Sequence, residues 1–454
     1  MTQTEPAEVS PEQASATMRS RPYLVLLALV AVIGVVVSLA AWCFLELTHQ
    51  IQQEVYTHIP HALGYPNGAP RWWPFIVLPI GALITAVAIV RLPGRGGHIP
   101  AEGLATGGKP PTIELPGVLL AAFATIGLGL VLGPEAPLIA LGSGLAAISV
   151  KLVRRDPEPQ ALALVAAAGT FAALSFVFSS PLIAAVILIE AAGIGGSRLR
   201  LVLIPGLLAA GIGSLVSIGM GSFTGLSTSA YALSALPLAP FGHPHVGNFA
   251  WTIALSLAVA AGAQVIMRGG LATYRIVSPR PMVLLPLVGL VIAGLAAAFS
   301  QITGKGIDEI LFSGQDQLPG LVAAAGSYSA GALALVLVFK GIAYGLSLGS
   351  FRGGPTFPIL FLGAAAGILA SRLPGFPLSA AVAVGMAAGM VAVLKLPLTA
   401  VVTATVLAEK AGAGVEPLII VGVVVSYITM LAMSPRQASQ TSQTGQTSTA
   451  RVRE

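Results

Sequence analysis

The chain has 454 residues, of which 55% are hydrophobic and 9% are charged, with a formal net charge of +6 and a mean hydropathy of +0.88. Soluble domains carry about 25% charged residues, so the composition excludes a soluble protein and predicts an all-α integral membrane protein. The positive charge does not indicate nucleic-acid binding, because the basic residues cluster at the ends of apolar segments, as in cytoplasmic loops. The single cysteine, Cys43, excludes an intrachain disulfide and a site built from several thiolates.

The first twenty residues are polar and lack the features of a signal peptide, so we expect a cytoplasmic tail over 1–20. Several of the following apolar segments are long enough to cross a hydrocarbon core of about 30 Å. These segments are 23–45, 73–90, 117–132, 282–298 and 330–346. The sequence therefore predicts a membrane domain over 21–433, with halves near 21–215 and 249–433, and a disordered tail over 434–454.

The two longest connecting stretches, 50–71 and 219–248, contain few basic residues and are expected on the external side. Basic residues at the other helix ends favour cytoplasmic loops there. We therefore expect a multi-pass protein of the cell membrane with both termini in the cytoplasm.

One short apolar sequence motif occurs twice, about half a chain apart. Residues 137–142 read Pro-Leu-Ile-Ala-Leu-Gly, and residues 358–363 read Pro-Ile-Leu-Phe-Leu-Gly. Residues 181–184 and 397–400 form a second pair with nearly the same offset. Two halves with helices broken by Gly and Pro at matching places indicate a repeat-built transporter or channel with its site between the halves. Shorter apolar segments, such as 101–106 and 305–312, cannot cross alone and are expected to line an internal cavity.

Glu135 is the leading functional candidate, because a charge inside a membrane costs about 2.5–3.5 kcal/mol on insertion scales. It lies between Pro134 and Pro137, in the first turn of a helix predicted to begin inside the membrane. The free N–H groups and the dipole of such a helix start attract an anion. A tethered carboxylate can occupy the anion's place and leave when it is protonated or displaced. Alternatively, Glu135 merely caps a helix at a membrane surface.

Two further Gly-rich breaks offer backbone amides. Residues 353–358, Gly-Gly-Pro-Thr-Phe-Pro, are the repeat partner of the Glu135 segment, and residues 94–100 read Gly-Arg-Gly-Gly-His-Ile-Pro. Glu190, at the end of an apolar helix, is either a polar waypoint for ions or protons or a satisfied carboxylate near Arg198 and Arg200. The chain shows no nucleophile–base arrangement, P-loop or metal-ligand cluster, so we expect neither an enzyme nor a cofactor.

These three broken segments, in this order, resemble signatures of the CLC family of chloride channels and chloride/proton antiporters. Residues 96–100 are similar to the family's Gly-Ser-Gly-Ile-Pro, residues 133–137 to Gly-Arg/Lys-Glu-Gly-Pro, and residues 354–358 to Gly-x-Phe-x-Pro. The resemblance covers nearly the whole membrane domain. It implies a CLC-like inverted repeat of two halves, with broken, tilted helices meeting at a central anion site. It also implies a homodimer with one anion pathway per subunit.

The resemblance assigns a gating role to Glu135 and an anion site to the three segments. The implied anion-binding residues are Gly97, His98, Ile99, Gly133, Glu135, Ala136, Gly354, Pro355, Thr356 and Phe357. A proton path, if one exists, would use Glu135 and Glu190.

The chain departs from the family pattern at the anion site. Gly97 stands where the family has the serine that touches the central anion, so a hydroxyl donor is missing. The signature phenylalanine falls on Thr356, or on Phe357 after a one-residue shift. In the first alignment Pro355 cannot donate an amide. The family's anion-contacting tyrosine has no clear counterpart, since Tyr427 lies in the wrong part of its helix.

Family antiporters usually carry two adjacent glutamates, of which the second relays protons, and this chain has Glu190 followed by Ala191. We therefore expect chloride or small-anion transport gated by Glu135 that is channel-like or weakly proton-coupled. The alternatives are a chloride/proton antiporter relaying through Glu190 or water, and a non-conducting scaffold or regulatory subunit. The expected partners are small anions, the lipid bilayer and a second copy of the chain.

Overall fold

The computed structural model describes residues 11–104, 110–153, 157–192, 196–226 and 233–434. These residues form α-helices joined by 3₁₀ turns and one π-helical turn, Glu54–His58. The helices are α1 Pro11–Met18, α2 Arg21–Gln53, α3 Ile59–Ala62, α4 Pro74–Arg91, α5 Leu115–Gly127, α6 Glu135–Val153, α7 Pro159–Phe178, α8 Pro181–Ala192, α9 Gly196–Thr224, α10 Val246–Val277, α11 Pro281–Thr303, α12 Gln317–Ala323, α13 Ala330–Ser350, α14 Thr356–Ala370, α15 Leu378–Leu394, α16 Pro397–Leu407 and α17 Glu416–Met433. The expected disordered tail lies outside the described residues, apart from Ser434.

Within the described part of the chain, nine helical segments are long and apolar enough to cross a membrane. Helices α5, α8, α14, α15 and α16 are apolar but shorter. Many helices begin with proline at their first or second position, where the missing N–H would have no intrahelical partner. Because α14 and α15 are buried almost along their whole length, these short helices are sheltered by protein.

The predicted helix bounds were wrong in several places. Helix α2 runs through Gln53 and continues through the π-helical turn and α3, so residues 50–62 of the expected loop 50–71 are helical. Its polar end is compatible with helix because Glu and Gln are good helix formers. Helix α5 ends at Gly127 instead of 132, before a turn in which Gly129 has a φ of 94°. The short segments near 101 and 305 contain only the 3₁₀ turns Pro100–Glu102 and Ile307–Glu309, and residues 105–106 are not described.

The two halves repeat one packing arrangement. Helices α6–α9 correspond to α14–α17, with starts 216 to 221 residues apart (for example, 356 − 135 = 221). Helix α7 packs on α6 and α9, and α15 packs on α14 and α17. Gly142 meets the backbone of Gly169 between α6 and α7, and Gly363 meets Gly385 in the same way between α14 and α15. A side chain at any of these glycines would overlap the facing backbone, so both helix pairs depend on small residues.

The two halves meet at a reciprocal backbone pair. The Gly133 N–H donates to the Gly354 carbonyl over 2.8 Å, and the Gly354 N–H donates to the Gly133 carbonyl over 2.6 Å. These glycines are 221 residues apart and therefore equivalent in the repeat. Equivalent residues that exchange the same bond are related by an approximate two-fold axis that passes between them. This pairing places the N-terminal ends of α6 and α14 side by side.

An irregular segment, 233–245, carries the chain from the first half to the second. The Leu236 N–H donates to the Leu407 carbonyl at the end of α16, and the Phe241 N–H donates to the Ala411 carbonyl. The long connection predicted over 219–248 is shorter in the structure, because α9 extends to Thr224 and α10 begins at Val246. Residues 227–232 of this connection are not described. The segment 233–245 fastens the connection to the second half.

Candidate functional site

Glu135 is the first residue of α6 and is buried, with 1% of its surface exposed. Its Oε1 accepts a hydrogen bond from the backbone N–H of Thr356, the first residue of α14. Its Oε2 is buried without a hydrogen-bond partner in the described part of the chain. The carboxylate thus crosses the two-fold axis and occupies the amide end of the equivalent helix.

The Glu135 side chain fits there because its neighbours are glycines. A Cβ atom added at Gly354 would overlap the Glu135 carboxyl group, and one added at Gly133 would overlap its Oε2. The reciprocal pair of these two glycines therefore joins the halves and leaves the space that the carboxylate fills.

The 354–358 segment is held by two aromatic contacts. The Tyr344 hydroxyl, buried on α13, donates to the Pro355 carbonyl over 2.6 Å. The Phe357 ring stacks on Phe178 at the end of α7, with centroids 5.5 Å apart and ring planes at 19°. Pro355 has no N–H, so the first amide of α14 belongs to Thr356. Thr356 thus presents a backbone donor, whereas the Phe357 ring packs in the core.

The 94–100 segment forms a tight turn followed by an extended residue. Gly97 has a φ of 97°, and its N–H donates to the Gly94 carbonyl over 2.8 Å. The His98 Nε2 lies 3.0 Å from the Gly103 carbonyl oxygen, so the imidazole faces its own loop. Ile99 is half-buried. No group of three potential metal-ligating side chains occurs within the described ranges.

Arg352 connects the first and third segments, and the sequence analysis did not single it out. Its Nε donates to the Arg95 carbonyl over 3.3 Å. Its backbone N–H donates to the Thr125 hydroxyl over 3.4 Å. The sequence feature that could have identified Arg352 is a lone arginine in an apolar stretch, directly before Gly353. Tyr344 was also missed, although it is the one tyrosine within the apolar segment 330–346.

Glu190 is on α8, and its carboxylate lies against the start of α16 rather than at the Gly133–Gly354 pair. Its Oε1 accepts from the Leu398 N–H over 2.9 Å, and its Oε2 accepts from the Thr399 N–H over 2.7 Å. Both carboxylate oxygens are thus used at a helix start, as in an N-cap. The side chains of Arg198 and Arg200, its expected neighbours, lie outside the described part of the structure. Tyr427 lies on α17 and packs against the core.

Comparison with known proteins shows the family. A family model described as voltage gated chloride channel matches residues 80–431. This chain belongs to that family, the CLC family. Its members are membrane-embedded channels and transporters of anions rather than enzymes, so the expected family and the expected function class of anion transport are confirmed at this level.

The curated relatives are similar over most of their length. The YfeO protein of Escherichia coli (strain 55989 / EAEC), provisionally assigned to ion transport, is 29% identical over 365 residues, which cover 79% of this chain and 82% of the relative. Its counterpart in Shigella boydii serotype 4 (strain Sb227) is 28% identical over 365 residues, which again cover 79% of this chain and 82% of the relative. These relatives support membership in a family of ion-transport proteins.

Solved structures confirm the fold. The structure of a slow cyanobacterial Cl⁻/H⁺ antiporter superposes with a TM-score of 0.72 at 18% identity, covering 90% of this chain and 95% of that one. A CLC-type fluoride/proton antiporter superposes with a TM-score of 0.65 at 18% identity, covering 90% and 96%. The expected all-α, CLC-like arrangement of two halves is therefore confirmed.

Proposed function

We propose that this protein conducts chloride or another small anion along a pathway gated by Glu135, with channel-like or weakly proton-coupled transport. The observation that carries the proposal is the buried Glu135 carboxylate on the Thr356 N–H, between Gly133 and Gly354. A free anion would bind at the same amide end of α14. Protonation or displacement of the carboxylate would vacate this position at the start of α14, so that a transported anion could bind there.

Backbone amides around the carboxylate are the proposed anion ligands. Within the described residues, no hydrogen bond is donated by the N–H groups of Ala136, Phe357, His98 or Ile99. They belong to the starts of α6 and α14 and to the first Gly-rich segment. Amides without a partner in a sheltered site favour an anion over a cation.

The contacts of Glu190 support weak coupling. Both of its oxygens accept N–H groups of α16, and the next residue, Ala191, has no proton acceptor. Protonation would convert one of these acceptor oxygens into a hydroxyl, so a proton relay at Glu190 would have to break at least one of the two bonds in each cycle. The second candidate is a proton-coupled antiporter, because the two solved structures described above are named antiporters.

The basic residues support a topology with both termini in the cytoplasm. With α2 crossing outward, the ends of α4, α6 and α10 reach the cytoplasmic side, where Arg91, Lys151 and Arg275 lie. We propose this orientation in the cell membrane, and a homodimer as in the family.

The test is chloride efflux from liposomes with simultaneous external pH recording, for the wild-type protein and Glu135→Gln. We expect efflux without stoichiometric proton uptake. Loss of a charge-assisted hydrogen bond of about 1.5–3 kcal/mol should raise the efflux by about 10- to 150-fold in Glu135→Gln. The control is Glu54→Gln, which removes an exposed carboxylate. Uphill proton movement in fixed ratio to chloride would establish the antiporter instead, and absence of any efflux would favour a scaffold.

A further inference from the structure

A narrow apolar groove lies between α10, α13 and α14 in the second half. It is a cavity of about 620 Å³ lined by Ala, Gly, Val, Leu, Ile and Trp residues and by one charged residue, Arg372. Val265 and Val338 are adjacent in sequence to lining residues, and both are exposed apolar side chains that face the hydrocarbon of the bilayer. None of the residues proposed for the anion site lines the groove. It is thus a separate feature that opens toward lipid.

The dimensions of the groove match a lipid chain better than a helix. Along α10 the groove extends from Trp251 to Ile266, which is about 22 Å at a rise of 1.5 Å per residue. One leaflet of a bilayer, headgroups included, is about 20–22 Å thick. A helix of that length and a diameter of about 10–12 Å occupies roughly 1,800–2,500 Å³, whereas the groove contains about 1360 Å³ even with the space at its open mouth. A helix would therefore fit only partly, and a thinner acyl chain fits along the whole groove.

The mouth of the groove carries a positive charge at the level expected for headgroups. Arg372 lies just beyond the end of α14 and is exposed. The indole N–H of Trp251 donates to the Pro374 carbonyl over 3.0 Å, which fastens the start of α10 to the turn that contains Arg372. Tryptophan and arginine are typical of the membrane interface, where an aromatic ring or an apolar stem meets a polar end.

The Arg372 guanidinium has donors available for a ligand. Its Nη2 donates to the Tyr328 carbonyl, which holds the side chain at the mouth. Arg372 forms no ion pair with any carboxylate of the described residues. Glu309, which accepts a hydrogen bond from the Tyr328 hydroxyl, interacts with the charges of Lys305 and Lys340. The charge of Glu309 is thus offset without Arg372, and the guanidinium can bind a phosphate through its remaining N–H groups.

We propose that the groove binds an anionic phospholipid, with one acyl chain along α10 and the phosphate of the headgroup on Arg372. The phosphate supplies the negative charge that complements the guanidinium, and the apolar lining excludes a polar occupant. A zwitterionic lipid binds more weakly, because its cationic group lies close to the same arginine. The acyl chain packs on α14, the helix whose first N–H binds Glu135. This site does not depend on the proposed anion pathway.

The first test is photo-crosslinking of the full-length protein in nanodiscs. The probes are phosphatidylglycerol, which is anionic, and phosphatidylcholine, which is zwitterionic, each with the same diazirine in its acyl chain. We expect the groove-lining peptides of α10 and α14 to be labelled about fivefold more strongly by phosphatidylglycerol, because one arginine near an anionic headgroup contributes about that factor. Equal labelling by the two lipids would overturn the inference.

Variants of Arg372 test the headgroup contact. Arg372→Gln should reduce labelling by phosphatidylglycerol to the level of phosphatidylcholine, and Arg372→Lys, which keeps the charge, should retain part of the preference. The control is Arg91→Gln, which removes an exposed arginine at the end of α4 and should be labelled like the wild type. A preference that persists in Arg372→Gln contradicts the assigned headgroup site.

A groove-filling variant tests the position of the acyl chain. Gly262 lines the groove, and a Cβ atom added there meets nothing within 4 Å. Gly262→Leu should therefore fold, occupy the groove and reduce labelling by both lipids by more than half. The matched control is Gly294→Leu on α11, where an added Cβ atom also meets nothing within 4 Å. If Gly262→Leu is labelled like Gly294→Leu, the chain lies elsewhere and the inference is wrong.

A further test uses only the wild-type protein and so does not depend on the folding of a variant. Its structure is determined by electron cryo-microscopy in nanodiscs that contain phosphatidylglycerol. Density for an acyl chain along α10 that ends in a headgroup at Arg372 supports the inference. An empty groove, or a helix of a second copy or of another protein seated in it, contradicts the inference.

Discussion

At the scale of single residues, the candidate gate depends on the absence of two side chains. The carboxyl group of Glu135 lies where the Cβ atoms of residues 133 and 354 would be, and both residues are glycines. The carboxylate is therefore held by one amide hydrogen bond in a space of defined size. A change in that space should displace it without removing its charge.

We expect Gly354→Ala to expel the Glu135 side chain, because the added methyl group overlaps the carboxyl group. Chloride efflux should rise to the level of Glu135→Ala. The double variant should conduct no faster than either single variant, because both changes vacate the same position. Efflux from liposomes measures all three.

The control for this prediction is Gly294→Ala on α11, where an added Cβ atom meets nothing within 4 Å. It should conduct like the wild type. A Gly354→Ala protein that remains folded and shows wild-type efflux would contradict the role of this space in gating.

At the scale of elements, carboxylates of the first half bind the starts of helices in the second half. Glu135 binds the first amide of α14, and Glu190 binds two amides at the start of α16. Only the first lies next to the glycine pair. The chemistry is similar, so the difference in proposed role comes from the surroundings of the two carboxylates.

We expect Glu190→Gln to lower the free energy of unfolding by about 1–3 kcal/mol, because the glutamine Nε2 is a donor and cannot accept the N–H that one carboxylate oxygen accepts. Anion flux should stay within about twofold of the wild type, a change of roughly 0.4 kcal/mol. Denaturation in detergent and liposome flux provide the two measurements.

The matched control is Glu409→Gln, which removes an exposed carboxylate and should unfold like the wild type. If Glu190→Gln keeps wild-type stability but abolishes a measurable proton flux, Glu190 is a relay and the structural role is refuted.

At the scale of the whole molecule, the two-fold relation determines where the site lies. Equivalent helices of the two halves approach each other only near the axis, and the Gly133–Gly354 pair lies on it. Both broken helices therefore present their amide ends to one place. The same relation predicts opposite orientations of the two halves in the membrane.

The proposed topology can be checked with single cysteines in a Cys43→Ala protein. We expect His243→Cys, in the exposed connection between α9 and α10, to react with a membrane-impermeant maleimide on intact cells. Glu12→Cys, on α1, should react only after permeabilisation. The reverse pattern would show that the chain inserts with the opposite orientation.

Composition and local pattern were sufficient to predict the membrane class and the repeat, and to single out Glu135 as the candidate gate. A charge inside an apolar segment and a proline at a helix start carry their meaning within a few residues, because the bilayer imposes the same solvation requirement on every segment. The contacts that define the site, in contrast, join residues that are far apart in the sequence. Arg352 and Arg95 are 257 residues apart, and Glu190 and Leu398 are 208 apart. Which carboxylate meets which helix start, and which arginine lies behind the glycines, depends on how the two halves pack, because hydrogen bonds between distant segments form only after those segments have been brought together.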